Sequence, residues 1–286
     1  MRIEDGRQSD NVEDRRGLSM PGGVVGGGIG TVVIVLAAMF FGVDPRVALQ
    51  LLSDTAPVTP PVQQSQPAHT TAHDPLRDFV AIVLADTEDT WRDLFQKSGR
   101  HYEDPKLVLF TGAVQSACGN AQAAVGPFYC SSDHKVYIDL AFYRDLKERF
   151  HAPGDFAQAY VIAHEVGHHV QNLLGIADKV HAARSRAAPA QSNELSVRME
   201  LQADCLAGVW AFHANRARHI LEAGDVEQAL NAATQIGDDR MQMRARGYVS
   251  PESFTHGSAD QRVRWFRRGI DTGQLGQCDT FKAAQL

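Results

Sequence analysis

The sequence predicts an α+β domain behind one N-terminal membrane helix, and three observations carry that prediction. A charge-free run from Gly22 to Val43 is followed by a polar spacer. Beyond the spacer, stretches of helical apolar spacing and of strand-like alternation follow one another in a chain with 44% apolar residues, enough for a core. An HExxH motif falls inside one of the helical stretches.

Helical residues rise about 1.5 Å each, so Gly22–Val43 is long enough to cross the hydrocarbon core. Its length, and the lack of a small-x-small site after it, favour an uncleaved anchor over a signal peptide. Arg2, Arg7, Arg15 and Arg16 precede the run, against Arg46 alone close behind it. The positive-inside rule then makes residues 1–21 a cytoplasmic tail and sends the bulk of the chain across the membrane. The expectation is a single-pass protein of the inner (cytoplasmic) membrane with a periplasmic or otherwise extracytoplasmic domain. Gly22, Gly26 and Gly30 recur every four residues, a face on which two such helices could pair as a homodimer. General glycine enrichment of membrane helices is the alternative.

Residues 44–74 include a stretch rich in Pro, Thr, Gln and Ser that cannot build a core, and read as a flexible linker. The folded domain is expected over residues 75–286. Phe79, Ile82, Val83, Trp91, Leu94 and Phe95 sit at helical spacing within Asp78–Lys97 and predict a first helix. Lys106–Phe110 and Lys135–Leu140 read as short strands separated by glycine turns. Asp155 with Gln158 resembles a capping box opening a helix over Phe156–Leu174, which Gly175 ends. A further helix is predicted over Val197–Asn215.

The net charge of −6 and the absence of a long basic run exclude nucleic acid as the main partner. The four cysteines, Cys118, Cys130, Cys205 and Cys278, form no CxxC pair, so neither a zinc ribbon nor a redox dithiol is expected. In an oxidising compartment they allow three connectivities. The short Gly-rich segment between Cys118 and Cys130 favours that pair, which leaves Cys205 with Cys278. Four buried thiols are the alternative.

The motif is His164-Glu165-Val166-Gly167-His168. Residues four apart share a helix face, so both imidazoles can reach one Zn²⁺ while Glu165 addresses the water bound to it. A catalytic zinc needs a third protein ligand and one open position. Glu200 and Asp204, four apart in the next helix, fit a ligand carboxylate and a carboxylate that accepts the outer N–H of a ligand histidine. His169 points about 100° away from His168 and reads as a packing or surface residue. Non-haem iron uses the same ligand types, but HExxH on one helix favours zinc.

These segments resemble the gluzincin type of metallopeptidase, and more closely a bacterial family of neutral zinc metallopeptidases with a single N-terminal membrane helix. The similarity runs through SDNVEDRRG (Ser9–Gly17), the Gly-rich span, GAVQSACG (Gly112–Gly119), AYVIAHEVGHHVQNLLG (Ala159–Gly175), ELQADCLAG (Glu200–Gly208) and SFTHGSADQRVRWF (Ser253–Phe266). The resemblance implies a zincin-like metallopeptidase fold, a small sheet packed on two core helices with the metal between them. It also implies peptidase activity on a peptide or protein substrate. His256 followed by Arg262 looks like an element of membrane-associated gluzincins. There the histidine hydrogen-bonds an oxyanion and the arginine braces a carboxylate near the metal, although Gly257 and Ser258 stand where prolines are usual.

The expected chemistry is therefore hydrolysis of a peptide bond by a zinc-activated water, with His164, His168 and Glu200 as ligands and Glu165 as general base. Asp204 orients a ligand histidine, and the Val136–Leu140 strand offers an open edge to an extended substrate. The alternative is a catalytically silent zincin-fold scaffold or binding protein of the cell envelope, against which the position of Glu165 counts.

Overall fold

The computed structural model describes residues 1–3, 6–17, 74–123 and 126–286. The predicted membrane span at residues 22–43, its glycine face and the linker up to residue 73 lie outside the described residues. Among the described residues, no helix is long and apolar enough to cross a membrane.

Residues 1–16 and 72–286 form one unit. After β1 (Val12–Asp14) comes α1 (Pro75–Lys97), whose N-cap Asp74 accepts the backbone N–H groups of Leu76 and Arg77 at 3.2 and 3.1 Å. The strands β2 (Lys106–Phe110), β3 (Ala113–Ser116), β4 (Gly119–Gln122), β5 (Phe128–Cys130) and β6 (Lys135–Asp139) follow. The remaining elements are helical: α2 (Ala141–Glu148), α3 (Asp155–Leu173), α4 (Ile176–Arg184), α5 (Pro189–Arg218), α6 (Asp225–Gln235), α7 (Asp238–Arg246) and α8 (Ala259–Thr272). The fold is α+β, as the sequence predicts.

The main sheet has the order β1-β2-β6-β5, with β3 and β4 as a separate hairpin. β1, β2 and β6 run parallel, and β5 is antiparallel to β6. Two expectations change here. The strand around Val136 is not an open edge: β6 is paired on both sides, and the sheet's edges are β1 and β5. Residues 1–16 are not a tail separate from the domain, because β1 is its edge strand, with Val12, Glu13 and Asp14 opposite Leu107, Val108 and Leu109. Periodicity could reveal neither, since strand order is set by pairings distant in sequence.

α3 begins without the capping box. Gly154 occupies the cap, and Gln228 Oε1 of α6 accepts the Phe156 N–H at 3.2 Å. α3 and α5 touch where a Cβ on Gly167 would lie 3.0 Å from the Ala203 carbonyl oxygen. α5 and α8 approach more closely still: a Cβ on Gly269 would collide with the Cys205 carbonyl oxygen. Glycine at these crossings lets three helices converge, and the apolar core around Tyr160, Ile162, Leu201, Trp210 and Phe266 fills the space about them. Both favoured disulfides are present, Cys118–Cys130 and Cys205–Cys278.

Candidate metal centre

α3 is buried along most of its length, so its polar face must be matched by polar partners. His164 and His168 stand one turn apart on that face, and Glu200 reaches toward them from α5. His164 Nε2 lies 3.1 Å from one Glu200 carboxylate oxygen and His168 Nε2 3.5 Å from the other. Donor atoms of the three residues lie within 4.8 Å of one another.

The outer nitrogens decide which atoms face the centre. His164 Nδ1 lies 2.8 Å from Asp204 Oδ1. A carboxylate can only accept, so Nδ1 carries a hydrogen, and Nε2, facing Glu200, offers a lone pair to the centre once the proton it shares with that carboxylate is lost. His168 Nδ1 lies 2.9 Å from Gln171 Oε1, and the Gln171 amide nitrogen donates to the Met199 carbonyl and to Gln202 Oε1. That network fixes the amide orientation, so His168 also turns its Nε2 lone pair inward. Two imidazole nitrogens and one carboxylate form a donor set that would suit zinc.

Asp204 is fully buried and densely bonded. It accepts from Tyr160 Oη at 2.5 Å, from His164, and from Arg262 through Nε and Nη2, both at 2.9 Å. Burial alone would raise its pKa. The charges of Arg262 and His164 more than reverse that and hold it near 2. Burial likewise works to lower the His164 pKa, but Asp204 brings it up to about 10. A proton and a metal ion compete for the same imidazole lone pairs. Glu200 lies well below the ordinary glutamate value, because the two histidines outweigh its desolvation. Glu165 moves the other way: burial raises it.

The histidine that follows the ligands sits on a turn held by Asp238. One Asp238 oxygen accepts the backbone N–H groups of Thr255, His256 and Gly257 at 2.7, 2.6 and 3.0 Å, and the other lies 3.2 Å from His256 Nδ1. Gly257 adopts φ +92°, which the prolines usual in the related element could not take. His256 is raised in pKa, first by its bond to Asp238, with a smaller contribution from the charge of Glu200. Its ring is half exposed.

His164, His168 and Glu200 are thus brought together, with Asp204 and Arg262 behind His164 and Glu165 within the same helical turn. Gln171 and Tyr160 escaped sequence reasoning although both stand on the motif helix, at i+3 from His168 and i−4 from His164. Asp238 carried no local signal, being 18 residues from the histidine it holds. His169 is a packing residue. Its Nε2 donates to the Glu103 carbonyl at 2.6 Å and its Nδ1 accepts from Tyr129 Oη at 3.0 Å, which ties β5 to α3.

Comparison with known proteins finds a matching family and relatives along most of the chain. The profile of a family described as putative neutral zinc metallopeptidase matches residues 1–281. The chain is 49% identical to the uncharacterized protein YpfJ of Escherichia coli K12, over 98% of this chain and 99% of that one. It is 40% identical to the uncharacterized proteins Rv2575 of Mycobacterium tuberculosis and Mb2605 of Mycobacterium bovis, over 87% of this chain and 86% of theirs. No solved structure matches it.

Proposed function

The chain belongs to the putative neutral zinc metallopeptidase family, and on that premise we propose that it hydrolyses peptide bonds, with His164, His168 and Glu200 holding zinc. The observation that carries this reading is the convergence of those three donors within 4.8 Å, beside a buried carboxylate one residue along the helix. When bound, zinc supplies Lewis acidity, which lowers the pKa of a water and polarises the scissile carbonyl.

The chain's own residues do the rest. Glu165 takes a proton from the attacking water at its carboxylate and delivers it to the leaving amine. His256, held through Nδ1 by Asp238, donates a hydrogen bond from its other nitrogen to the developing oxyanion. Asp204, kept ionised by Arg262, fixes the orientation of His164. An extended polypeptide adds to the outer edge of β5, the strand that His169 and Tyr129 tie to the motif helix. The substrate class is flexible or unfolded protein outside the cytoplasm, which suits the two disulfides.

The test uses the full-length chain purified in detergent, as wild type and as Glu165→Gln. Both are expected to bind one zinc, and casein cleavage to fall by about 10²- to 10⁴-fold in the variant. Zinc in both with equal cleavage removes Glu165 from the mechanism. Zinc in both without cleavage favours the scaffold reading, and no zinc in either removes the metal site.

A further inference from the structure

The stretch Ser9–Gly17 belongs to the family resemblance, yet no step at the metal centre uses it. Residues 1–16 are built into the unit that holds the metal site. Leu107 N–H donates to the Asn11 carbonyl at 2.9 Å and Arg15 N–H to the Leu109 carbonyl at 2.8 Å, which seals β1 to β2. Ser9 N–H donates to Ala81 on α1, and Arg2 N–H to Ile220.

Side chains bind the arm as firmly. Glu88, fully buried on α1, receives Arg7 at 2.8 Å, Ser9 Oγ at 2.5 Å and Asn11 Nδ2 at 2.9 Å. A buried carboxylate stripped of such partners is strongly unfavourable, so α1 is shaped to receive this arm. Glu13 pairs with Lys135 of β6 at 2.8 Å. At the far end of the arm Arg16 pairs with Asp74 at 2.7 Å, so the chain leaves this unit and re-enters it at one place.

A single crossing between residues 17 and 73 would set about 30 Å of hydrocarbon between strands that are hydrogen-bonded to each other. The arginine count that places the N-terminus in the cytoplasm is overridden by this pairing, because Val12–Asp14 cannot lie across a bilayer from the Leu107–Leu109 segment they face. We propose that residues 1–16 and 74–286 fold together on one side of the membrane, the oxidising extracytoplasmic side. The side follows from Cys205–Cys278, buried in the same unit and persistent only where thiols are oxidised.

All four native cysteines are in disulfides, so an added thiol is the sole reactive one. Gln8→Cys and Asp10→Cys place it at exposed positions on the arm, and Lys97→Cys at the exposed end of α1. The full-length variants, in sealed right-side-out membrane vesicles, are treated with a membrane-impermeant maleimide. Equal labelling of the arm and α1 positions without lysis is expected. Protection of either arm position until the vesicles are opened, with native disulfides retained, overturns the proposal. Release of the chain by an alkaline wash without detergent overturns it too, by removing the membrane.

Discussion

Arg262 and Asp204 form a buried ion pair 2.9 Å long behind His164, Arg262 donating through two nitrogens to the two carboxylate oxygens. Removing the cation leaves an uncompensated carboxylate in the core. Arg262→Met is therefore expected to destabilise the protein by about 3–5 kcal/mol. Arg262→Lys restores only part of that, lacking the planar two-nitrogen geometry. Denaturant unfolding of the three proteins measures this, and a Met variant as stable as wild type would contradict the pair's structural role.

Gln171 holds His168 as Asp204 holds His164, but through an amide oxygen. Gln171→Leu is expected to weaken zinc binding by about 10- to 100-fold. Gln171→Glu keeps an acceptor for the His168 N–H and should retain more of the affinity. Competition with a chelator of known affinity reads both, and equal affinities in Leu and Glu variants would show that the bond does not orient the ring.

Burial raises the pKa of Glu165 above the ordinary 4.5. The group is a base only when ionised, so activity is lost as pH falls through the raised value. The acid limb of kcat/KM against pH is expected above 4.5 for that reason. A limb at or below 4.5 would assign the essential base elsewhere.

His169 is buried and its pKa is depressed from 6.5 to about 4, chiefly by desolvation. The unfolded chain takes up its proton near pH 6.5 and the folded one only near pH 4. The stability from the neutral ring is thus fully present above pH 6.5 and lost as pH falls toward 4. The loss is on the order of 3 kcal/mol. His169→Phe should flatten that part of the stability profile, and an unchanged slope would place the titration on another group.

The centre was largely legible in the sequence because helical spacing encodes faces. His164 and His168, and then Glu200 and Asp204, each stand four apart, and a helix puts such pairs on one side whatever surrounds it. Gln171 and Tyr160 obey the same spacing. A glutamine and a tyrosine on a buried helix read equally well as core, so only their partners, His168 and Asp204, reveal their place.

The sequence by itself determined the α+β class, the helix that carries the His164–His168 face and the second helix that brings Glu200 to it, and it favoured the Cys118–Cys130 pair. These follow from local periodicity, residue chemistry and a short separation, whereas Cys205 and Cys278, 73 residues apart, were matched only by elimination. Only the tertiary structure decided that β6 is central, that Asp238 clamps the turn of His256 and that Arg262 meets Asp204. It alone brought residues 1–16 into the sheet, with Glu88 buried against them. Each of those joins residues far apart in the chain, through pairing and burial that no local pattern records, and the glycine-permitted helix crossings set which distant groups meet.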